Sequence, residues 1–133
     1  MTAELRPGDR EAFRAPNYAW IVTLDPDGSP QASVTWIDND ETHLLVNTAA
    51  GRRKDRNVKR DPRVVIAVER AGDAYDWISV EGVVEERETG PGAEAHIDHL
   101  SRLYDDEPWT PADGQVRVRW RVRPTRIVRY RDE

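Results

Sequence analysis

A strict alternation of apolar and charged side chains near the end of the sequence constrains the fold more than any other feature. The two alternating sets are Val116, Val118, Trp120 and Val122, and Arg117, Arg119, Arg121 and Arg123. Because successive side chains of a β-strand point to opposite faces, this period of two predicts a strand. We assign its apolar face to the protein core.

The row of arginines has two interpretations. It could bind the backbone of a nucleic acid, or it could pair with carboxylates on a neighbouring strand. The preceding predicted strand carries four glutamates, namely Glu81, Glu85, Glu86 and Glu88. Opposite charges that face one another across a ladder stabilise a sheet, and we therefore favour the structural interpretation.

Further β-prone segments predict a six-stranded antiparallel sheet. The predicted strands cover residues 18–24, 31–37, 42–47, 64–68, 77–85 and 116–123. Turn chemistry at residues 25–28 joins the first two strands as a hairpin, and the first three are expected to form a meander. Gly82 predicts a bulge where the sheet curls into a barrel. A short helix is expected near residues 9–14, and a helix over residues 93–104 is expected to cap an open end of the barrel.

Length and composition predict a single domain. At 133 residues the chain can bury roughly two-thirds of its unfolded surface, so we assign residues 1–133 to one domain with a polar leader at residues 1–12.

The sequence has no cysteine, which excludes disulfides and thiolate chemistry. It has no apolar run of membrane-spanning length and no signal-peptide pattern, and we expect a soluble, cytoplasmic protein without a membrane partner.

The clearest functional signal follows the third predicted strand. A short basic helix follows Gly51, ends before Pro62 and opens with Arg52, Arg53 and Lys54. Cations at the start of a helix are unfavourable, because the helix dipole favours anions there. The exposed backbone N–H groups and the three side chains would therefore suit one bound anion, most simply a phosphate. The alternative is an ordinary solvated helix face.

The charge distribution favours a small ligand over a polyanion. The chain has 20 basic and 25 acidic residues, a net charge of −5. Residues 52–60 contain six cations and one anion, a net charge of +5, so the remainder of the chain carries −10. DNA or RNA would be repelled by that remainder, whereas one anionic ligand would be attracted to the basic segment. We therefore expect a phosphorylated small molecule, and no nucleic acid, as the partner.

Other motifs give weaker signals. His96 and His99 are three residues apart beside Asp98, and they could contribute to a metal site if a further ligand arrived. No complete ligand set is visible in the sequence, and we expect no metal. The Gly-x-Ser-x-Gly, Walker and Gly-x-Gly-x-x-Gly signatures are absent from the sequence, so serine hydrolase, P-loop and Rossmann functions lose their main support. A cofactor-dependent function remains.

Residues on the predicted strands could receive a flat cofactor ring. Trp36, Trp77 and Trp120 offer flat faces in mid-strand, although most strand tryptophans belong to the core. On the second strand, Ser33 and Val34 could present backbone and hydroxyl groups to the edges of a ring. Each feature alone is typical of ordinary strands, and only their combination with the basic segment favours a cofactor.

These segments resemble a known family. Three of them carry the resemblance: the hairpin at residues 22–34, the basic block at residues 47–64 and the segment at residues 77–82. They are similar to the flavin-binding split-barrel proteins related to pyridoxamine 5'-phosphate oxidase. Within that family they are similar to the small oxidoreductases that use the deazaflavin coenzyme F-420. The resemblance implies a mainly β fold, a six-stranded antiparallel split β-barrel of the FMN-binding type with short helices.

The resemblance also implies roles for individual residues. In the family, the positions that match Arg52 and Lys54 contact the cofactor phosphate. Those that match Ser33 and Val34 lie along the ring, and the position that matches Trp77 is near the pocket. The resemblance further implies a homodimer with two equivalent cofactor sites at the interface.

We therefore expect an oxidoreductase that transfers a hydride between coenzyme F-420 and a small unsaturated substrate. Arg53 and Asn57 would assist at the cofactor phosphate, and no residue stands out as a proton donor. The alternatives are an FMN-dependent oxidoreductase of the same fold and a non-catalytic carrier of a flavin or another anionic cofactor.

Overall fold

The computed structural model describes residues 1–132, which form three helices and seven strands. The helices are α1 (Pro7–Arg14), α2 (Arg53–Arg60) and α3 (Pro91–Asp105). The strands are β1 (Ala19–Leu24), β2 (Pro30–Thr35), β3 (Asp38–Asn39), β4 (Leu44–Ala49), β5 (Arg63–Glu69), β6 (Trp77–Thr89) and β7 (Arg117–Arg129). Short 3-10 turns follow β5 and β7.

All seven strands belong to one antiparallel sheet with the order β2-β1-β5-β6-β7-β4-β3. The sheet curls into a half-barrel of the split-barrel type, and α3 packs over β4, β6 and β7. The predicted fold class is therefore confirmed. The strand beyond the predicted six is β3, which contains only two residues.

The predicted meander is wrong in its third strand. β1 and β2 do pair as a hairpin, but β4 pairs with β7, so that Val46 lies opposite Trp120. The physical reason is that the apolar row of β7 needs a second apolar row beside it. Leu44 and Val46 supply that row, and both are fully buried.

The long antiparallel pair of β6 and β7 contains the predicted bulge. The register of the two strands shifts between Glu81 and Gly82, which confirms the role expected of this glycine. A Cβ atom at residue 82 would lie 2.7 Å from Val122 Cγ1 and 2.8 Å from the Arg123 carbonyl oxygen. The strands therefore cross too closely here for any side chain.

Two of the four arginines in the alternating row of β7 pair with glutamates as predicted. Arg119 pairs with Glu88 at 3.0 Å and Arg123 pairs with Glu85 at 2.8 Å, both across the β6–β7 ladder. Arg121 instead pairs with the carboxylate of Asp40, which lies in the turn before β4. Val116 was predicted to face the core, but it lies before the strand begins and is 51 % exposed.

Helix α1 closes one side of the core. Phe13 is fully buried, and Leu5 and Ala12, from the segment predicted as a polar leader, also belong to the core. Asp9 accepts hydrogen bonds from Arg129 of β7, at 2.8 Å from Nε and 2.5 Å from Nη2. Among residues 1–132, no helix has both the length and the apolar character to cross a membrane.

Candidate functional site

The basic segment begins at a tight turn after β4. Ala49, the last residue of β4, lies opposite Arg117 of β7. Gly51 follows with φ of 89°, a conformation that favours glycine. Arg52 has an extended backbone and precedes the first residue of α2. The N–H groups of the first turn of α2 have no acceptor within the helix, so they are available to an anion.

A buried carboxylate holds α2 against the sheet. Asp55 is 1 % exposed and accepts hydrogen bonds from Arg87 of β6 and from Trp120 Nε1, the latter at 3.0 Å. The Gly51 N–H also donates to it at 3.3 Å. Burial alone would raise the pKa of Asp55, but the hydrogen bonds from Arg87 and Trp120 outweigh burial and lower it. This carboxylate explains how a helix that opens with cations remains in place.

Lys54 and Arg52 remain available to a ligand. Lys54 Nζ lies 3.5 Å from Ser33 Oγ, so the fold brings these two predicted site residues together. Burial, and then the charges of Arg52 and Arg117, lower the pKa of Lys54. Within residues 1–132 no carboxylate forms an ion pair with Lys54 or Arg52. Neighbouring cations that lack a counter-ion are suited to bind an anion.

Arg53 and Asn57 bind the turn between β1 and β2. Arg53 donates to the Asp25 carboxylate from Nε at 2.9 Å and from Nη2 at 2.5 Å. Asn57 Nδ2 donates to the same carboxylate and to Thr23 Oγ1, each at 3.0 Å. The hydrogen bonds from Arg53 and Asn57 lower the pKa of Asp25 to about 2. These two predicted site residues thus connect the hairpin to α2.

Val34 and Trp77 lie on the outer face of the sheet. Because neighbouring residues of a strand point to opposite faces, Val34 faces away from Ser33 and lies opposite Trp20 of β1. Val34 and Trp20 are 45 % and 53 % exposed. Trp77 lines a groove of about 680 Å³ on this outer face, together with Trp20. The fold therefore separates the predicted site residues into two groups, with Ser33 beside Lys54 and Val34 on the face of Trp77.

The other aromatic and histidine candidates pack or hydrogen-bond within the protein. Trp120 is fully buried in the core, and Trp36 stacks on Tyr104 with ring centroids 5.4 Å apart. His96 is buried, and its Nε2 lies 3.0 Å from Asp38 Oδ2. In the part of the chain that the structure describes, no three metal-ligating side chains come together.

One cation near the site was not identified from the sequence. The alternation assigns Arg117 to the structural row, yet it is only 7 % exposed and no carboxylate among the described residues pairs with it. Its Nε donates to Asn47 Oδ1 at 3.0 Å and its Nη1 donates to Gln115 Oε1 at 3.1 Å. Burial, and then the charge of Arg52, lower the pKa of Arg117 to about 10. The sequence carries no local signal for this difference, because only the register of β6 and β7 shows that the glutamates of β6 end opposite Arg119 and leave Arg117 without a carboxylate.

Comparison with known proteins places this arrangement in a family. The family described as pyridoxamine 5'-phosphate oxidase matches residues 5–128. The chain belongs to the pyridoxamine 5'-phosphate oxidase family. The resemblance inferred from the hairpin, the basic block and the segment after Trp77 is thereby confirmed.

Solved structures with this fold include several that span nearly the whole chain. A protein named F420 Reductase is 32 % identical, with 93 % of this chain and 98 % of that chain covered and a TM-score of 0.81. Rv2991 from Mycobacterium tuberculosis is 22 % identical over 95 % of this chain and 84 % of that chain, with a TM-score of 0.74. HupZ from Group A Streptococcus is 14 % identical over 94 % and 93 % of the two chains, with a TM-score of 0.67. The last two support the pyridoxamine 5'-phosphate oxidase fold alone.

Proposed function

We propose that this protein is an oxidoreductase that transfers a hydride between coenzyme F-420 and a small unsaturated substrate. The observation that carries the proposal is the similarity to F420 Reductase, at 32 % identity over 93 % of the present chain. Membership of the pyridoxamine 5'-phosphate oxidase family supports a cofactor-dependent function of this kind. Arg52 and Lys54, which pair with no carboxylate in the described part of the chain, supply the local chemistry.

The residues at the start of α2 fit a cofactor phosphate. Arg52 and Lys54 are neighbouring cations without a carboxylate partner in the described chain, and the hydroxyl of Ser33 lies beside Lys54. In the proposal, Arg52 and Lys54 bind the phosphate together with the first-turn N–H groups. Arg53 and Asn57 assist by holding the β1–β2 turn against α2.

The remaining predicted residues orient the ring. Ser33 would contact its edge through the hydroxyl and Val34 through the backbone, since their side chains point to opposite faces of β2, and Trp77 would form a wall of the pocket. A bound deazaflavin supplies the atom that gives or accepts the hydride, so the protein's contribution is to hold ring and substrate in reacting geometry. None of the described residues is assigned as a proton donor.

We also propose a homodimer, because one copy of the chain separates the site into two parts. Ser33 lies beside Lys54, whereas Val34 and Trp77 lie on the outer face. That face exposes 53 % of Trp20, a large apolar side chain that a second copy would cover. In a symmetric dimer the Trp77 groove of one copy would then complete the Lys54 site of the other.

Competitive titration with coenzyme F-420 and FMN tests the choice of cofactor. Coenzyme F-420 carries a phosphate and a polyglutamate tail, whereas FMN carries only the phosphate. We expect tighter binding of coenzyme F-420 at low salt, because the basic segment offers additional positive charge to the tail. The difference should narrow as salt rises, since exposed charges about 10 Å apart are largely screened at 0.1 M ionic strength.

Two outcomes of this experiment would change the proposal. If FMN binds equally well or better at low salt, the FMN-dependent alternative replaces the coenzyme F-420 assignment. If coenzyme F-420 binds tightly but the reduced cofactor is not oxidised with any of a panel of unsaturated substrates, the protein is a carrier. Absorbance of the reduced and oxidised cofactor reports turnover directly.

A further inference from the structure

A second cavity lies between α3 and the segment that precedes β7. It has a volume of about 370 Å³, and its lining includes Glu94, Ile97 and Asp98 of α3, together with Trp109, Gln115 and Arg117. We call it the Arg117 pocket. It is separate from the groove that contains Trp77, and no residue predicted for the cofactor site lines it.

Arg117 is a buried cation that has only neutral partners. Two of its nitrogens donate to the side-chain oxygens of Asn47 and Gln115. Its guanidinium carbon lies 4.9 Å from the centroid of the Trp109 ring. The third nitrogen, Nη2, has no hydrogen-bond partner among the described residues. A desolvated guanidinium without a carboxylate is costly, and an anionic group in the pocket would remove that cost.

The hydrogen bonds around Asn47 hold Arg117 in one position. Asn47 Nδ2 donates to the Ala93 carbonyl at 2.9 Å and lies 3.2 Å from His96 Nδ1, which leaves Oδ1 to accept from Arg117. Since His96 Nδ1 is the acceptor, the imidazole proton is assigned to Nε2, which faces Asp38. The guanidinium is thus ordered before any ligand arrives, which reduces the entropy cost of binding.

The position of Arg117 connects it to the phosphate site. Arg117 lies opposite Ala49 in the ladder, and Ala49 comes three residues before Arg52. The Ala50 N–H donates to the Val116 carbonyl at 2.8 Å, so the two chain segments stay paired up to the turn. One ligand could therefore present separate anionic groups to Lys54 and to Arg117.

We propose that Arg117 forms a second anion subsite, which binds a carboxylate or phosphate located beyond the group held by Arg52 and Lys54. The forked guanidinium suits a planar carboxylate in particular. Two carboxylates also line the pocket. Asp98 is already engaged, because it accepts from Arg102 Nε and from the Trp109 N–H, each at 2.9 Å, and Glu94 is exposed to solvent, which screens its charge. The inference rests on the proposed binding of an anionic cofactor.

Affinities of three variants for coenzyme F-420 and for FMN test the subsite. Arg117→Gln should weaken binding of coenzyme F-420 about tenfold or more and leave binding of FMN unchanged, because FMN has no second anionic group. Lys54→Gln should weaken both. Arg119→Gln is the matched control, since Arg119 lies on the same strand and face but pairs with Glu88, and it should change neither affinity. Unchanged affinity of Arg117→Gln for coenzyme F-420 would overturn the subsite.

A measurement on the unaltered protein covers the case in which Arg117→Gln does not fold. Because Trp109 packs on the Arg117 guanidinium, its fluorescence should respond saturably to glutarate, a free dicarboxylate, and more strongly than to inorganic phosphate. The response should disappear in Trp109→Phe. Failure of the wild type to bind either cofactor would refute the proposed function, whereas absence of a saturable glutarate signal would refute the Arg117 subsite separately.

Discussion

The carboxylate of Asp55 accepts two hydrogen bonds from one edge of the Arg87 guanidinium, at 2.9 Å from Nε and 2.5 Å from Nη2. Asp55 belongs to α2 and Arg87 to β6, so this contact joins the candidate phosphate site to the barrel wall. Asp55→Ala leaves Arg87 and the Trp120 N–H without their acceptor. We expect the free energy of unfolding to fall by about 3 kcal/mol, measured by chemical denaturation.

Asp61→Ala is the control for that variant. Asp61 also pairs with an arginine, but its partner Arg63 is 70 % exposed, so the pair is screened by water. We expect little change in stability. Equal destabilisation by the two variants would show that α2 does not depend on the buried contact of Asp55.

Acid should destabilise the protein through Asp9 and Asp55. Burial raises the pKa of Asp9, but the hydrogen bonds from Arg129 and the Arg6 N–H outweigh burial, so the pKa of Asp9, like that of Asp55, is lowered from its ordinary value. A carboxylate with a lowered pKa stabilises the folded state above its unfolded pKa and loses that contribution as pH falls through the folded value. We expect the free energy of unfolding to decline below about pH 4. The decline should be shallower in Asp9→Asn, and an equal slope in the wild type and the variant would contradict this assignment.

Lys54→Ala and Arg52→Ala should each weaken cofactor binding and leave the fold intact. Loss of one charge-assisted contact costs about 1.5 to 3 kcal/mol, or about one to two orders of magnitude in affinity. Isothermal titration measures the change. Arg126→Ala removes an exposed cation of β7 that lies outside the basic segment and pairs with Glu81, and it serves as the control. If the double variant of Lys54→Ala and Arg52→Ala binds the cofactor with unchanged affinity, the basic helix is an ordinary solvated face and not a binding site.

Dimerisation should depend on Trp20. We expect the wild type to sediment as a homodimer and Trp20→Glu to raise the dissociation constant at least about thirtyfold, equivalent to about 2 kcal/mol, because the charge would be buried at the interface. Leu103→Glu, at a 36 % exposed position of α3, should leave the dimer intact. A strictly monomeric wild type that binds cofactor at full affinity would exclude a shared site.

Gly82→Ala should destabilise the protein at the bulge. Its added methyl group would lie 2.7 Å from Val122 Cγ1 and 2.8 Å from a backbone oxygen, so the strands must move apart. We expect a loss of about 1 to 3 kcal/mol, measured by thermal unfolding. Gly8→Ala is the control, because a Cβ atom there meets only Arg70 Nη2 at 3.9 Å. If Gly82→Ala loses no stability, β6 and β7 are not as close at this position as the structure describes.

The elements of the fold were predictable because their signals are local. The alternation from Val118 to Val122 predicted β7, and turn residues predicted the β1–β2 hairpin. Pairing of β4 with β7 was not predictable in the same way, because it joins residues more than 70 positions apart, such as Val46 and Trp120. A local pattern shows which face of a strand is buried, but not which strand lies beside it.

The same limit applies to the candidate site. The contact between Lys54 and Ser33 was not predicted. The family resemblance placed both residues at one cofactor, but no spacing in the sequence brings residues 33 and 54 together. Arg117 was predicted to pair with a glutamate like the other arginines of its row, and its neutral partners Asn47 and Gln115 could not be foreseen, because they depend on where the glutamates of β6 end in the register. Arg53 was predicted at the phosphate, and its contact with Asp25 depends on how the β1–β2 turn folds back.

The buried position of His96 provides a natural spectroscopic label. Its Nε2 proton is held by the Asp38 carboxylate at 3.0 Å, and the side chain is only 5 % exposed. Imidazole protons usually exchange with water too quickly to be observed, whereas a buried and hydrogen-bonded one exchanges only when the surrounding structure opens. The lifetime of this single resonance would therefore report how often α3 lifts away from the sheet, without any isotope or dye attached to the protein.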